Sequence, residues 1–551
     1  MRFSIAANGC VAPRPVRRIE IVEVGHPDDY LNNAYFMMRN GVPALGKVIS
    51  DAGYKVGIQA ESMTPLNWSY LLDADVVGLS TETHFAYRAY DIAREVRRLR
   101  PNIPIVVGGP HATIMAGHAV DNLDFVVRGE GEQTFLELLK AFEDGGDLSA
   151  IDGLSYFDGR IHHNPDRPRL PGIDLPGDLS LVRGHPRGRW WPLIRRGKFT
   201  LLTVEASRGC PYSCRFCPTS ALVGRKYRKR CVDGVIDEIR EKHNYTKAQH
   251  CLFVDNILLY QEGWTDQLFE KLAAARLNME FWVLTRADSI MQDPNLLKLM
   301  RSAGVTVVFL GMESVNPATL KSYNKALSLD KTAAACEAIH SAGMNVFGSF
   351  VLGDDEDRAE TVEGCVDFAR KHDLFALHLF PLTIFPCKDG QMLPLDRLLT
   401  TDLARFNMNY VTTFPLRVPP SRLQRAIASG YERFYSWRHA HRYLVRAGSG
   451  AVLKFMGSGV MNRQVRRQQL EWASYLEGVE QGMYDANDSL RIDRLPLPWI
   501  ASAISPATWL EEPGTTSKAT SSKTEVAPER LVKIGTSRRT ADPSALEPTK
   551  S

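Results

Sequence analysis

The 551-residue chain has no uninterrupted apolar run long enough to cross a bilayer. Its N-terminus, MRFSIAANGCVAPRPVRRIE, lacks the apolar core of a signal peptide. Both absences point to a cytoplasmic protein, with peripheral membrane contact left open. Excess charge is scarce as well: 67 Lys and Arg against 63 Asp and Glu leave +4. On a chain of this size that excess is too small to mark a nucleic-acid surface, so no nucleic-acid partner is expected. Internal repeats are absent. Cysteine is sparse, odd in number and unevenly spread, with three of the nine between 210 and 217. That spacing excludes the disulfide framework of a small secreted domain. The other six, at 10, 231, 251, 336, 365 and 387, read as ordinary small apolar residues.

What is present is a long α/β pattern, more than one hydrophobic core usually serves. Residues 1–17 read as a flexible leader. Over 18–150, short apolar strands (19–24, 55–60, 75–80, 103–108 and 123–128) alternate with helical stretches near 41–52, 86–99 and 132–143. Such alternation predicts a doubly wound parallel sheet, whose ligands bind beyond the carboxyl ends of the strands. Residues 151–198 break the rhythm with a hairpin turning at Asp158-Gly159 and a linker rich in Pro, Gly and Arg. Over 199–390 six more strands alternate with helices, at 201–205, 251–255, 281–285, 306–310, 344–352 and 375–380. Six βα units predict a partial (β/α)6 barrel. Residues 391–512 read as a helical C-terminal domain, with a helix over Ser421–Arg438, and 513–551 as a disordered tail.

The three cysteines stand in Glu205-Ala-Ser-Arg-Gly-Cys210-Pro-Tyr-Ser-Cys214-Arg-Phe-Cys217-Pro, directly after the first strand of the second block. That is the loop edge at which barrel chemistry occurs. A four-iron cluster normally takes four thiolates. Three local ligands leave one iron open to a non-protein group. Structural zinc needs a fourth ligand at finger spacing, and the nearest cysteine, Cys231, lies fourteen residues on.

CxxxCxxC after the first barrel strand resembles the radical S-adenosylmethionine (SAM) superfamily. The resemblance covers about 200–390. It implies a [4Fe-4S] cluster on Cys210, Cys214 and Cys217, whose open iron chelates SAM and whose electron releases a 5′-deoxyadenosyl radical. It places Phe216 against adenine, Asp255 near the methionine amine and Arg286 after the third strand. Gly311-Met312-Glu313-Ser314 resembles the family's Gly-x-Glu-Ser near the sugar and methionine, so Gly311, Glu313 and Ser314 are expected there. Ser349 stands in the stretch that resembles the adenine-binding strand. Phe385-Pro386-Cys387-Lys388 departs from the Pro-Gly-Thr turn common in relatives, and a sixth-strand end rebuilt for another substrate is expected.

In the first block, Ser80-Thr81, then Gly108-Gly109-Pro110-His111, then Gly129-Glu130-Gly131 follow three successive strands. Glycines at strand ends let a ligand approach the backbone. This trio resembles the cobalamin-binding domain of the B12-dependent branch of radical SAM enzymes, and the resemblance implies that these nine residues line a cobalamin site. The Asp-x-His-x-x-Gly motif that carries a cobalt ligand is missing. His26 lacks the trailing glycine, and His111 reads as shaping its loop rather than ligating cobalt. The alternative is a flavodoxin-like domain that has lost its ligand.

The basic, aromatic runs Arg187–Lys198 and Arg225–Arg230 read as solvated edges, and the second also as a frame for the SAM pocket. The combined resemblance implies methylation of an unactivated carbon in a small-molecule or lipid substrate, driven by an electron donor such as flavodoxin or ferredoxin. Oxidative cyclisation or rearrangement, as in enzymes resembling the anaerobic magnesium-protoporphyrin cyclase, is the alternative of the same architecture. A tRNA methylthiolating enzyme would carry a second three-cysteine set, and only Cys10 is present in the first block. A cluster-bearing sensor or scaffold is the non-enzymatic alternative.

Overall fold

Runs of Val, Ile and Leu buried on both faces build two sheets, as parallel strands flanked by helices require. The computed structural model describes residues 3, 5, 9–25, 35–185, 199–261, 263–291, 294–385, 397–436 and 465–481. In chain order the strands are β1 (Arg18–Glu23), β2 (Tyr35–Phe36), β3 (Lys55–Ala60), β4 (Val76–Ser80), β5 (Ile105–Gly108), β6 (Phe125–Val127), β7 (Leu154–Phe157) and β8 (Ile161–His163). They continue as β9 (Phe199–Val204), β10 (Ser207–Arg208), β11 (Arg228–Lys229), β12 (His250–Phe253), β13 (Glu280–Arg286), β14 (Val305–Glu313), β15 (Asn345–Leu352) and β16 (Ala376–Pro381).

The first sheet has the order β3-β1-β4-β5-β6-β7-β8. Its first five strands run parallel. Because β3 and β4 flank β1 on opposite sides, the connections diverge there and open a crevice at the carboxyl edge. The hairpin β7–β8 adds an antiparallel edge. Phe157 pairs with Ile161, so its loop is Asp158-Gly159-Arg160 rather than a two-residue Asp-Gly turn, with Gly159 at φ 121°.

The second sheet runs β16-β15-β14-β13-β12-β9-β2. Six parallel strands in sequence order form the expected open barrel. The seventh, β2, comes from the N-terminal part: Tyr35 and Phe36 pair with Phe199 and Thr200. Two residues carry no readable period, so this stitch between the halves was invisible in the sequence. At the opposite edge, the helix Pro420–Phe434 covers β16. The Tyr431 hydroxyl accepts from Leu379 N (2.9 Å), and that of Tyr435 accepts from Leu377 N (3.1 Å). Spaced four apart, the two tyrosines satisfy backbone groups that an exposed edge would leave open. A further helix over 465–480 packs beside it, Trp472 Nε1 donating to Val411 O at 3.0 Å.

The leader is not loose where it is described. Val11 and Val16 are buried, and Phe3 packs edge-on against Phe125 at 5.5 Å. His26, the run 187–198, the turn around Cys387, Arg438 and the tail 513–551 lie outside the described residues.

A buried ion cluster ties the linker to the barrel. Glu238, on the helix Val232–Thr246, meets Lys242 Nζ at 2.6 Å and the Arg230 guanidinium, and accepts from Gly177 N at 2.9 Å. Lys242 Nζ also donates to Asn40 Oδ1 (2.6 Å) and Thr203 O (2.8 Å). Replacing Glu238 by alanine strands two buried cations, and a loss of about 3–5 kcal/mol is expected. Urea unfolding would measure it, and a loss below about 1 kcal/mol, the scale of an exposed pair, would refute the arrangement.

Candidate active site

The cysteine loop leaves β9 and is held by a carboxylate below it. Asp255 is fully buried and accepts from Ala206 N at 3.1 Å and from both the N–H and the hydroxyl of Ser207. Burial pushes its carboxyl up to about 7. The loop then passes Gly209 at φ 102°, where a Cβ would stand 2.2 Å from Lys226 O, so no other residue fits. Cys210 N donates to Gly224 O (3.0 Å) and Cys217 N to Cys214 O (3.2 Å). All three thiols are partly buried, which raises each of them, Cys217 to about 11. Thiols so desolvated need a metal to stay as thiolates. Among the described residues no three His, Cys, Asp or Glu side chains converge on one point as single-ion ligands do. A cubane cluster, whose thiolates sit on different irons, does not require them to converge.

The strand ends ring this loop with charge. Arg286, at the end of β13, stacks its guanidinium 3.8 Å from the Tyr212 ring centre, with Nη1 3.8 Å from Cys214 Sγ. Asp288 fixes it through Nε (2.9 Å) and Nη2 (2.7 Å). On β14 the register slips between Gly311 and Glu313, a bulge that leaves Glu313 at φ 67°. Glu313 pairs there with Lys325, whose Nζ also donates to Gly311 O at 2.9 Å. A Cβ on Gly311 would meet Glu313 Oε1 at 2.6 Å. Ser349 pairs in register with Gly311 and His378. Phe216 packs on Tyr323 at 4.9 Å, beside a narrow slot that Leu382 and Ile384 also line.

Two of the residues expected near SAM are buried and hydrogen-bonded within the protein. Asp255 holds the cysteine loop, because β12 ends at Phe253 and the chain folds back under it. Ser314 is buried, and its hydroxyl accepts from Asn316 N at 3.0 Å, starting the next helix. Tyr212, Lys325 and Arg208 were missed. Tyr212 and Arg208 lie within the motif segment itself, but neither lies at a spacing that signals a role.

The second feature is a crevice of about 1320 Å³, partly open to solvent, at the carboxyl edge of the first sheet. Ser80, Gly108, Gly109, Pro110, Gly129, Glu130 and Gly131 line it, as expected. Gly109 (φ 93°) is obligatory: a Cβ would stand 2.9 Å from Thr81 O. Thr81 and His111 are not on the wall. Thr81 is fully buried behind Gly109, and its hydroxyl donates to Glu82 O at 3.0 Å. His111 is also fully buried, its Nε2 2.7 Å from the Tyr90 hydroxyl, and burial pushes it down to about 3. It shapes the loop and does not face a ligand. The opposite wall is barrel: Glu205, Arg208, Leu222, Val223 and Val254. Arg208 reaches Glu205 (2.7 Å), Glu130 (3.2 Å) and Glu132 (3.5 Å), and Glu130 also pairs with Arg228 at 2.6 Å.

Two buried polar atoms in crevice-lining side chains, Arg39 Nη1 and Glu132 Oε2, have no hydrogen-bond partner. Unmet groups in an apolar cleft call for a polar ligand. Glycine edges and these orphans fit a corrin, a broad ring fringed with amides. Part-buried thiols beside an arginine likewise fit an iron–sulfur cluster.

Asp255→Asn should put an amide N–H against the backbone donors of residues 206 and 207, costing about 1–3 kcal/mol locally. Reconstituted protein should then hold clearly less iron and sulfide per chain than the parent. Full cluster content would show that the clamp is dispensable.

The Radical SAM superfamily profile matches residues 204–368, and the B12 binding domain profile matches 33–139. An uncharacterized methyltransferase, PH0819, of Pyrococcus horikoshii is 29% identical over 315 residues, 55% of this chain and 65% of the relative. The anaerobic magnesium-protoporphyrin IX monomethyl ester cyclase of Rubrivivax gelatinosus is 26% identical over 373 residues, 66% of each. The chain thus spans just under two thirds of the length of these relatives. The radical SAM methyltransferase TsrM of Kitasatospora setae, solved with cobalamin and a [4Fe-4S] cluster, shares the fold at TM-score 0.60 and 16% identity over 82% of this chain and all of that one. With both profiles on one chain, this protein carries a radical SAM domain and a B12-binding domain, and the cofactors these imply are a [4Fe-4S] cluster, SAM and cobalamin.

Proposed function

We propose that this chain is a cobalamin-dependent radical SAM methyltransferase that acts on an unactivated carbon of a small molecule or lipid. The observation that carries the reading is the shared wall. Arg208, two residues before Cys210, pairs with Glu130 and Glu132 on the glycine-lined crevice, so the cysteine loop and the crevice are built against each other.

When bound, the cluster supplies the electron that cleaves SAM, and cobalamin supplies a methyl carrier. The protein's part is to hold and to shield. Cys210, Cys214 and Cys217 would ligate three irons. Arg286, pinned by Asp288 and stacked on Tyr212, puts a fixed cation beside the thiolates and favours their charged form. The Glu313–Lys325 pair and Ser349 face the mouth where SAM's polar groups would lie. Phe216 and Tyr323 offer an apolar wall to adenine. Arg39 and Glu132 would meet corrin amides from within the crevice. An electron donor such as flavodoxin or ferredoxin and a cytoplasmic setting complete this reading. Among the described residues no helix is long and apolar enough to cross a membrane.

The match to a named cyclase supports a second reading, radical oxidative cyclisation. Product mass separates the two: a gained methyl, labelled when SAM carries a deuterated methyl, against a change in oxygen or hydrogen alone. The parent protein, reconstituted without oxygen and reduced with dithionite, should turn SAM into 5′-deoxyadenosine, and Cys214→Ala should not. Unchanged 5′-deoxyadenosine formation in Cys214→Ala would defeat both readings. Cluster-loaded protein that fails to bind SAM would favour a sensor or scaffold.

A further inference from the structure

We propose that the basic face beside the cysteine loop, centred on Tyr260, is the docking surface for an acidic one-electron carrier protein. The inference rests on the radical SAM reading and extends it to the face on which that reading's electron donor docks.

The face is assembled by the hairpin β10–β11. Ser207 pairs with Lys229 and Arg208 with Arg228, so the run 225–230 lies antiparallel to the segment entering the cysteine loop. Contact is direct, since Cys210 N donates to Gly224 O at 3.0 Å and Gly209 leaves room only for Lys226 O. Within the run the side chains divide. Arg228 and Arg230 turn inward to Glu130 and Glu238. Arg225, Lys226 and Lys229 are exposed, as is Arg215 within the loop itself, and none of the four has an acidic partner among the described residues. Two exposed acids of the adjoining segments are already engaged: Asp233 is paired with Lys271 at 2.6 Å, and Asp174 accepts from Cys231 N at 2.7 Å. Four unpaired cations around one loop, on a chain with a net charge of only +4, form a local field that attracts an acidic surface.

Aromatic rings lead inward from this face. Tyr260 is 40% exposed, unusual for a large ring. It lies 5.1 Å from Tyr227, in the middle of the basic run, and 6.2 Å from Tyr212, between the first two cysteines. Tyr212 lies under Arg286, which reaches to 3.8 Å from Cys214 Sγ. An exposed aromatic packed on the tyrosine of a basic run is the composition of a protein-docking patch. The step needs one electron and no proton: the carrier is oxidised by one electron as the cluster is reduced by one. Because electron transfer weakens steeply with distance, a carrier must dock close to the thiols, and this hairpin is hydrogen-bonded to Cys210 itself.

The test uses the cluster-loaded full chain, with dye-labelled flavodoxin as the probe. Binding should weaken with rising salt, and the triple variant Arg225→Glu, Lys226→Glu, Lys229→Glu should weaken it at least tenfold at low salt and flatten the salt dependence. The ratio of the flavodoxin-driven to the dithionite-driven rate of 5′-deoxyadenosine formation should fall at least tenfold in the variant, which separates lost docking from any change in SAM cleavage itself. Salt-independent binding by the parent, which needs no variant, overturns the proposal, as does unaltered affinity in the triple variant. Displacement of flavodoxin-independent binding of a 20-nucleotide RNA by the same charge reversal, with flavodoxin affinity untouched, would assign the face to nucleic acid. Loss of SAM cleavage by the parent even with dithionite would strike the functional reading instead.

Discussion

The two halves depend on a buried meeting of charges. Glu130 begins the helix Gly131–Asp144 on the first sheet; Arg208 and Arg228 stand opposite each other on the hairpin that carries the cysteine loop. Their pairing, with Glu132 and Glu205 at its margins, is largely shielded from water. In that setting each charge is costly alone and tolerable only in company. Glu130 is accordingly held below the usual carboxylate range by Arg228 and Arg208, despite the opposing pull of burial. The network therefore does more than join two domains. It orients the entrance of the cysteine loop relative to the wall of the crevice, and chemistry shared between two cofactors needs that relation held closely.

Around this joint, backbone constraints do the local shaping. Gly209 and Gly109 stand where any side chain would strike a neighbouring carbonyl, one at the cysteine loop and one at the crevice. The bulge on β14 turns Glu313 into the left-handed region, an unfavourable place for a glutamate, and its pairing with Lys325 keeps it there. Asp255 shows how a buried carboxylate just past a strand end can clamp the loop that carries the cysteines.

Long elements were legible. The five strands of the first block and the six of the second appear within three residues of where apolar runs and their punctuation placed them, because a strand buried on both faces must be continuously apolar. Cys210, Cys214 and Cys217 were legible because ligand spacing is a local property. So were the glycine edges of the crevice, apart from Thr81 and His111, which share its sequence but turn into the core. What escaped were elements too short to carry a period, such as β2, and pairings over long separations, such as Tyr431 and Tyr435 on the β16 backbone or Lys242 on Asn40.

By itself the sequence determined the order of the two α/β blocks, the thiol loop at a strand end and the glycines at three others, since each is written in contiguous residues and follows from local sterics and periodicity. Only the tertiary structure decided which polar residues face the site and which support it. Asp255 came to hold the cysteine loop, Tyr212 lay under Arg286, Lys325 paired with Glu313, and Arg208 joined the two halves. Those outcomes turn on which charges meet once distant segments pack and water is excluded, and no stretch of sequence holds that information alone.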